Sequence, residues 1–288
     1  MVVFSQQQPD EHNTAARSIA EVTRAALLQG LRIVHIPIDF EEAPAEDALW
    51  FMPHVDDVGI FIGYIPHGEY YEQLDTAAKA KGVRLLNTPE QSRLVTEFDR
   101  YYPIIESFTI PSSIVRKEED IATAAKLGFP LFVKGLVKSR KEDGIKACFA
   151  DNLGELTALC KVCFAREYTA RNVAVVRKAV KFKHTQKSAK GFPIGREYRV
   201  ILLNEEILGL GYYWDVDDPL AELLKEEEMA VISLARKVAR AVNVPLLCVD
   251  IGQLENGQWI VVEIGDPQFS GMTHVNRLAF WSKLSSLV

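Results

Sequence analysis

The sequence lacks any apolar run long enough to cross a lipid bilayer, and it has only four cysteines among its 288 residues. A transmembrane helix needs about 20 consecutive apolar residues. The N-terminal segment also lacks the charged start, apolar run and cleavage site of a secretory signal. A low cysteine content suits a reducing compartment better than a disulfide scaffold. We therefore expect a cytoplasmic protein with no membrane partner.

Excess positive charge is also missing. The chain has 33 Lys and Arg against 39 Asp and Glu, which gives a formal net charge of -6. Proteins that bind nucleic acid in general usually carry a basic stripe. We therefore expect no general nucleic-acid binding, although a local basic cluster could still hold a polyanion.

Two of the cysteines, Cys160 and Cys163, form a C-x-x-C pair. They lie in the segment 151–168, whose pattern predicts a helix capped by Asp151 or Asn152. No second Cys or His pair stands at a zinc-binding spacing. The pattern therefore favours two buried thiols over a metal site.

Helix and strand patterns alternate in the first third of the chain, which indicates a parallel α/β unit. Helices are predicted over 14–29 and 67–82, each closed by a glycine, and strands over 31–38, 57–65 and 83–87.

The rest of the chain predicts two α+β units. In the middle, the predicted elements are a helix (118–128), a strand (129–135), a charged loop (137–144), a strand (146–150) and the helix 151–168. In the last third, strands are predicted over 172–182, 196–203, 206–214, 245–254 and 259–266, with a loop over 184–191 and a helix over 221–242. The Asn256-Gly257 step between the last two strands favours a type I′ hairpin, and the last third should form a mostly antiparallel sheet.

The segment WIVVEIGDPQFSG, residues 259–271, runs from an apolar strand straight into Glu263 and Asp266. A hairpin with the preceding strand would bring Asp250 beside Glu263. Two unpaired carboxylates at this distance repel each other, so a cation is expected nearby. Oxygen ligands without a nearby Cys or His favour magnesium or manganese over zinc. A buried arginine is the alternative partner, and on spacing alone it is the better one.

Five segments stand in an order that resembles the ATP-grasp superfamily, namely FPLFVKG, VVRKAV, REYRVILLNEEILG, PLLCVDIG and WIVVEIGDPQFSG. The resemblance covers about residues 84–285, and the last segment is similar to a group with an EIGDxxxSG-type motif. It implies an ATP-grasp fold of class α/β with α+β. In that fold a parallel α/β domain (1–105) precedes two α+β subdomains (106–180 and 181–288) that clamp a nucleotide.

The resemblance implies a set of cations at the ATP phosphates. Lys134, on the strand FPLFVKG, matches the family lysine that reaches the phosphates, and Arg100 stands where the family has the lysine of an Asp-Lys pair. Arg199 is implied to meet the γ-phosphate, so Lys134 and Arg199 are the candidate catalytic residues. Lys138 belongs to the loop 137–144, whose cations would hold phosphate where the family loop uses glycine and serine. A merely solvated loop is the alternative.

The same resemblance places the adenosine part of ATP. Glu197 matches the glutamate that accepts hydrogen bonds from the ribose hydroxyls, although a surface salt bridge with Arg199 is the alternative. The backbone of Lys178 and Val180 would contact the adenine edge. Arg177 stands where the family often has a glutamate. Because Arg177 cannot accept a hydrogen bond from the adenine amino group, phosphate or another acid is its expected partner.

Asp250, Glu263 and Asp266 match the family ligands of Mg²⁺, with Mn²⁺ as an alternative metal. The family pattern is Glu-x-Asn, so in this chain the third ligand would be shifted to Asp266, after the flexible Gly265. Many ATP-grasp ligases also have an arginine two residues before the strand aspartate, where it stabilises a tetrahedral intermediate. Cys248 stands at that position.

The resemblance therefore implies an ATP- and magnesium-dependent carboxylate-amine or carboxylate-thiol ligase that acts through an acylphosphate. Its partner would be a small-molecule or peptide carboxylate, and a homodimer is expected by analogy. A kinase-like phosphotransferase, which would not need the arginine missing at Cys248, is the first alternative, and an inactive nucleotide-binding protein is the second. Ser270, His274 and the aromatic run 212–215 are candidates for the acceptor pocket, although such a run is also typical of a core.

Overall fold

The N-terminal part of the chain forms a four-stranded parallel sheet in the order β2-β1-β3-β4. It belongs to a computed structural model that describes residues 1–6, 13–37, 44–66 and 68–288. The strands are β1 (Val2–Ser5), β2 (Arg32–His35), β3 (Asp57–Ile62) and β4 (Val83–Leu85). The helices are α1 (Thr14–Leu28), α2 (Ala45–Ala48) and α3 (Gly68–Ala80). The predicted parallel unit is confirmed.

Local sequence explains the limits of α1. The Asn13 side chain accepts hydrogen bonds from the N–H groups of Ala15 and Ala16, as an N-cap should. Just after its end, Gly30 adopts a φ of 77°, which a residue without a Cβ tolerates best. The strand β1 was not predicted, although all four of its residues are buried. Positions 38 and 67 of the predicted elements lie outside the described residues.

A second sheet is antiparallel and has the order β5-β8-β6-β7. Helices α4 (Pro89–Thr96) and α5 (Phe98–Ile105) lead into it. Its strands are β5 (Ser112–Val115), β6 (Leu131–Gly135), β7 (Phe149–Ala150) and β8 (Ala174–Lys178). The helices of this part are α6 (Ile121–Ala124), α7 (Leu153–Phe164) and α8 (Glu167–Ala170). Asn152 is the residue that caps α7.

The last part contains a larger antiparallel sheet in the order β12-β11-β13-β14. Its strands are β11 (Glu197–Leu203), β12 (Glu206–Tyr212), β13 (Leu246–Gln253) and β14 (Trp259–Gly265), and its helices are α9 (Lys225–Val242) and α10 (Arg277–Leu287). The predicted antiparallel sheet is confirmed, and the domain boundaries at 105 and 180 stay a prediction.

Two local predictions were wrong. Part of the expected loop 184–191 is a strand, β9 (His184–Lys187), which pairs with β10 (Pro193–Gly195) to form a short hairpin. The turn between β13 and β14 is not of type I′, because among the described non-glycine residues Asn256 is not one with a positive φ. Only Gly257 supplies the positive φ, of 88°, and its N–H donates to the carbonyl of Leu254.

The two faces of the large sheet meet different partners, since side chains alternate along a strand. Val200 and Leu202 pack in one core with α9, whereas Ile201 and Leu203 pack in another with α10 and the N-terminal sheet. The odd-numbered positions of β11, including Arg199, therefore lie on the face away from α9. No helix of the described residues is long and apolar enough to span a membrane.

Candidate functional site

Three charged side chains stand next to one another across the large sheet. Arg199 of β11 is the register partner of Asp250 on β13, and Asp250 is in turn the partner of Glu263 on β14. Register partners on adjacent strands direct their side chains to the same face. The predicted proximity of Asp250 and Glu263 is thus confirmed, and Arg199 joins them on the neighbouring strand.

The first of two ion pairs in this region joins Arg199 to Asp250. The Nε and Nη2 atoms of Arg199 donate to the two carboxylate oxygens at 2.9 and 2.8 Å, and Nη1 donates to the carbonyl of Gly271 at 2.7 Å. Burial opposes the charge of Arg199, but Asp250 more than offsets it, so the pKa of Arg199 is raised. The guanidinium is therefore held in one orientation by a two-pronged contact.

The second ion pair joins the two antiparallel sheets. Lys134 of β6 donates from Nζ to Oε1 of Glu263 at 2.5 Å. The Lys134 side chain is only 1% exposed. Burial lowers the pKa of Lys134, and Glu263 works against that shift. For Glu263, burial alone would raise the pKa, but the Lys134 charge reverses the effect and the pKa is lowered. Both groups are thus charged at neutral pH.

A cavity of ≈ 620 Å³ lies over these pairs. The loop 137–144 covers one side of it, and the turn of the β9–β10 hairpin and the segment after β14 form other parts of its wall. Its ionisable lining residues are Lys138, Lys141, Glu142, Lys190, Arg199, Tyr213, Cys248, Asp250, Glu263 and Asp266. Cations and carboxylates thus face the same space, as a site for a phosphorylated ligand and a metal would require.

Glu197 lies at the start of β11 and is 5% exposed. Its Oε2 atom lies 4.0 Å from Nζ of Lys141, which comes from the loop 137–144. Burial raises the pKa of Glu197 to about 7, although Lys141 lowers it. Sequence reasoning noted Lys141 as a cation of the loop but did not select it as a site residue, because its approach to Glu197 depends on how the loop folds back.

Asp266 does not face the cavity as a free metal ligand. Its Oδ2 atom accepts hydrogen bonds from Asn87 at 3.1 Å and from the Gln268 side chain at 3.0 Å, and its Oδ1 accepts from the backbone N–H of Gln268. Asn87 also bonds both the N–H and the carbonyl of Leu246. Burial raises the pKa of Asp266, and these donors oppose the rise. This geometry supports a structural role that ties the N-terminal part to the large sheet.

The described residues include no group of three or more His, Cys, Asp and Glu side chains arranged to hold a metal ion. Asp250 and Glu263 nevertheless supply adjacent carboxylates, which are the donors that magnesium prefers. These two residues fit part of a magnesium site, and Asp266 does not. Cys160 and Cys163 are buried thiols whose pKa values burial raises to about 12 and about 11.

Arg177 is buried and points into the protein. It donates from Nη1 to the carbonyl of Val262 at 2.7 Å and from Nη2 to the hydroxyl of Thr109 at 2.8 Å, while Nε donates to Ser112. Its guanidinium lies over the ring of Phe98. The structure therefore places Arg177 in contacts between β8 and β14, with a carbonyl and two hydroxyls as the bonded groups.

The other predicted nucleotide contacts lie apart from the cavity wall. The backbone N–H of Lys178 already donates to the carbonyl of Pro111, and Val180 follows the end of β8. Arg100 is 47% exposed and bonds Glu97 at 2.5 Å. Lys138 does line the cavity, but its ammonium lies 3.3 Å from Glu142 of the same loop. The roles of these residues stay predictions.

The proposed acceptor residues are divided in the same way. Tyr213, Trp214 and Ser270 line the cavity. His274 is exposed, and its Nε2 lies 3.0 Å from the carbonyl of Trp214. Tyr212 belongs to the core that packs against α9. The aromatic run is therefore split between the core and the cavity.

Comparison with known proteins identifies the family. The model of an ATP-grasp domain family, the third family of its clade, matches residues 124–284, which is more than half of the chain. The protein therefore belongs to this ATP-grasp family, as the resemblance of its five segments predicted. None of the curated proteins gives a significant sequence match.

Solved structures confirm the fold. VanG D-Ala:D-Ser ligase from Enterococcus faecalis matches with a TM-score of 0.65 and 13% identity, over 99% of this chain and 98% of that chain. D-alanine--D-alanine ligase from Bacillus anthracis matches with a TM-score of 0.63 and 16% identity, over 99% and 92%. The same enzyme complexed with ATP matches with a TM-score of 0.61 and 18% identity, over 94% and 86%. At these identities the likeness establishes the ATP-grasp fold alone.

Proposed function

We propose that this protein is an ATP- and magnesium-dependent ligase that joins a carboxylate to an amine or a thiol through an acylphosphate. The observation that carries the proposal is the meeting of two ion pairs, Lys134–Glu263 and Arg199–Asp250, beneath one cavity in an ATP-grasp chain. The named relatives support the ligase class, because a D-alanine--D-alanine ligase and a D-Ala:D-Ser ligase share this fold.

The two cations would hold the triphosphate. Lys134 is fixed by its strand and by near-complete burial, so its ammonium is a positioned point charge. Arg199 presents a planar fork that is already oriented by Asp250 and Gly271. Groups held in place before the ligand arrives stabilise charge in the transition state without reorganising. Glu197 would accept hydrogen bonds from the ribose hydroxyls at the same wall.

Asp250 and Glu263 would hold magnesium, which when bound neutralises charge on the phosphate oxygens. In the free protein each carboxylate has a cationic partner, so its charge is balanced before any metal arrives. Metal binding would then release Lys134 and Arg199 toward phosphate. The chain's own contribution to the reaction is to orient the two substrates and to stabilise the charge that develops at the γ-phosphate.

In the proposed reaction, an oxygen of the substrate carboxylate attacks the γ-phosphorus, and the bond from that phosphorus to the bridging oxygen of ADP breaks. An amine or thiol then attacks the acyl carbon, and inorganic phosphate leaves. A phosphotransferase that stops after the first transfer is the second candidate. It is favoured by one observation, namely that Cys248 lines the cavity where the ligase pattern has an arginine.

Calorimetric titration with a non-hydrolysable ATP analogue, with and without magnesium, tests the nucleotide site. The wild type should bind with magnesium, and Glu263→Gln should lose most of the magnesium effect. Arg240→Lys is a suitable control, because Arg240 is 59% exposed and lies outside the cavity wall. Failure of the wild type to bind the analogue under either condition would overturn the assignment of a nucleotide site.

Trapping with hydroxylamine separates the ligase from the phosphotransferase. Hydroxylamine converts an acylphosphate into a hydroxamate, so ATP, a carboxylic acid and the enzyme should together give hydroxamate and ADP. D- and L-alanine are the first acids to test, given the named relatives. A ligase gives hydroxamate that depends on both ATP and the acid. ADP formation with a stable phosphate ester and no hydroxamate would support the phosphotransferase instead.

A further inference from the structure

Lys141 crosses from the middle part of the chain to the large sheet and ends among aromatic rings. Its Nζ atom lies 5.1 Å from the ring centroids of both Tyr213 and Trp214, and 6.0 Å from that of Phe192. These distances are within the range at which a ring face attracts a cation. With Glu197 at 4.0 Å, the three rings surround the ammonium on several sides.

The partner of Lys141 is the carboxylate that the proposed function assigns to the ribose. Glu197 is 5% exposed, so its charge depends on a nearby cation. In the nucleotide-free chain Lys141 supplies that cation. Burial by itself would lower the pKa of Lys141, but Glu197 more than offsets it and the pKa is raised. A ribose that bonds Glu197 must therefore share or displace the ammonium.

The loop that carries Lys141 is attached to the large part of the chain by few polar contacts. Lys190 donates from Nζ to the carbonyl of Glu142 at 2.7 Å. The ion pairs of Lys138 with Glu142 and of Arg140 with Asp143 lie within the loop itself. At its end, Gly144 has a φ of 98°, a conformation that favours glycine. Breaking such contacts costs little compared with opening a packed core.

The triphosphate site lies within electrostatic reach of the same ammonium. The charge of Lys141 contributes to lowering the pKa of Glu263, and it lowers the pKa of Lys134 as well. Because Lys134 and Glu263 define the proposed phosphate and metal end of the cavity, Lys141 already acts on that end from its position beside Glu197. A short movement of the loop would bring its ammonium to the phosphates.

We infer that Lys141 changes partner when the nucleotide binds, leaving Glu197 to the ribose and contacting the terminal phosphates. The inference rests on the proposed nucleotide site and adds a phosphate-positioning residue to it. The exchange is favourable because a triphosphate carries more negative charge than one carboxylate, and the ribose hydroxyls replace the ammonium at Glu197. Lys141 thereby couples occupation of the ribose end to closure over the phosphates.

Titration of AMP, ADP and a non-hydrolysable ATP analogue against wild type and Lys141→Met tests this exchange. Methionine keeps an unbranched apolar stem among the rings but removes the charge. The affinity of the ATP analogue should fall about tenfold to a hundredfold, as expected for the loss of a charged hydrogen bond. The affinity of AMP should fall less than about twofold or rise, because Lys141 no longer competes for Glu197. ADP should lie between them.

Equal losses for all three nucleotides, or a loss largest for AMP, would overturn the partner exchange. Lys146→Met is the matched control, since it removes one exposed charge nearby that does not line the cavity. If Lys141→Met folds poorly, Lys141→Met combined with Glu197→Gln removes both charges, and the loss for the ATP analogue should persist. Absence of binding by the wild type would instead count against the proposed function itself.

Discussion

Arg199 of β11 and Asp250 of β13 occupy paired positions on adjacent strands and share two hydrogen bonds of 2.9 and 2.8 Å. The same guanidinium bonds the carbonyl of Gly271. Both side chains are largely buried, with exposures of 14% and 7%. The sheet register therefore orients an arginine at the cavity before any ligand binds.

Arg199→Lys should lower the affinity for a non-hydrolysable ATP analogue about tenfold and the free energy of unfolding by about 1 to 2 kcal/mol. Lysine keeps the charge but cannot make two parallel bonds to Asp250 and a third to Gly271. Calorimetric titration and urea denaturation measure the two effects. Arg240→Lys should change neither, and an unchanged affinity in Arg199→Lys would contradict the role given to the fork.

Glu263→Gln should lower the free energy of unfolding by about 3 kcal/mol, because it leaves the buried Lys134 ammonium without a counter-charge. Adding Lys134→Met to Glu263→Gln should recover part of this loss, since the unpaired charge is then gone. Urea denaturation of the wild type, both single variants and the double variant gives the coupling energy. A coupling near zero would show that the 2.5 Å pair is not formed in solution.

Asp266→Asn should reduce stability by about 1 to 3 kcal/mol while leaving the magnesium dependence of nucleotide binding unchanged. The new amide group would place N–H donors opposite the donors of Asn87 and Gln268. Thermal unfolding and calorimetric titration with and without magnesium measure the two properties. A variant with normal stability but lost magnesium dependence would restore Asp266 to the metal site that the sequence predicted.

The stability contributed by Glu197 should depend on pH in a defined direction. Folding raises its pKa from 4.5 to about 7, so the folded state binds the proton more tightly. The contribution is therefore fully present below pH 4.5 and is lost as the pH rises through about 7. From about pH 5 to about pH 8 the wild type should lose stability relative to Glu197→Gln.

Unfolding of both proteins by urea at several pH values checks this prediction. Glu142→Gln is the control, because its carboxylate is 66% exposed and its replacement should have little effect at any pH. A stability difference between wild type and Glu197→Gln that stays constant across the range, or grows in favour of the wild type, would contradict the raised pKa of Glu197.

Local pattern was sufficient where neighbours in space are also neighbours in sequence. A short hairpin links β13 to β14, so placing Asp250 beside Glu263 required only strand periodicity and the turn between them. The predicted turn type was wrong, because a type I′ turn needs a positive φ at Asn256 as well as at Gly257, and only the glycine has one. The order of five segments was enough to indicate the ATP-grasp family.

Contacts between distant segments were decided by the tertiary structure. Lys134 meets Glu263 across 129 residues of sequence, and Asn87 meets Asp266 across 179. Whether a carboxylate pairs with a lysine, bonds amides or remains available to a metal depends on which groups the packed sheets bring within about 3 Å. The sequence by itself thus determined most of the strands, their charged positions and the family. The tertiary structure decided the partner of each charge, because hydrogen-bond energy depends on distances that only the packing of separate elements sets.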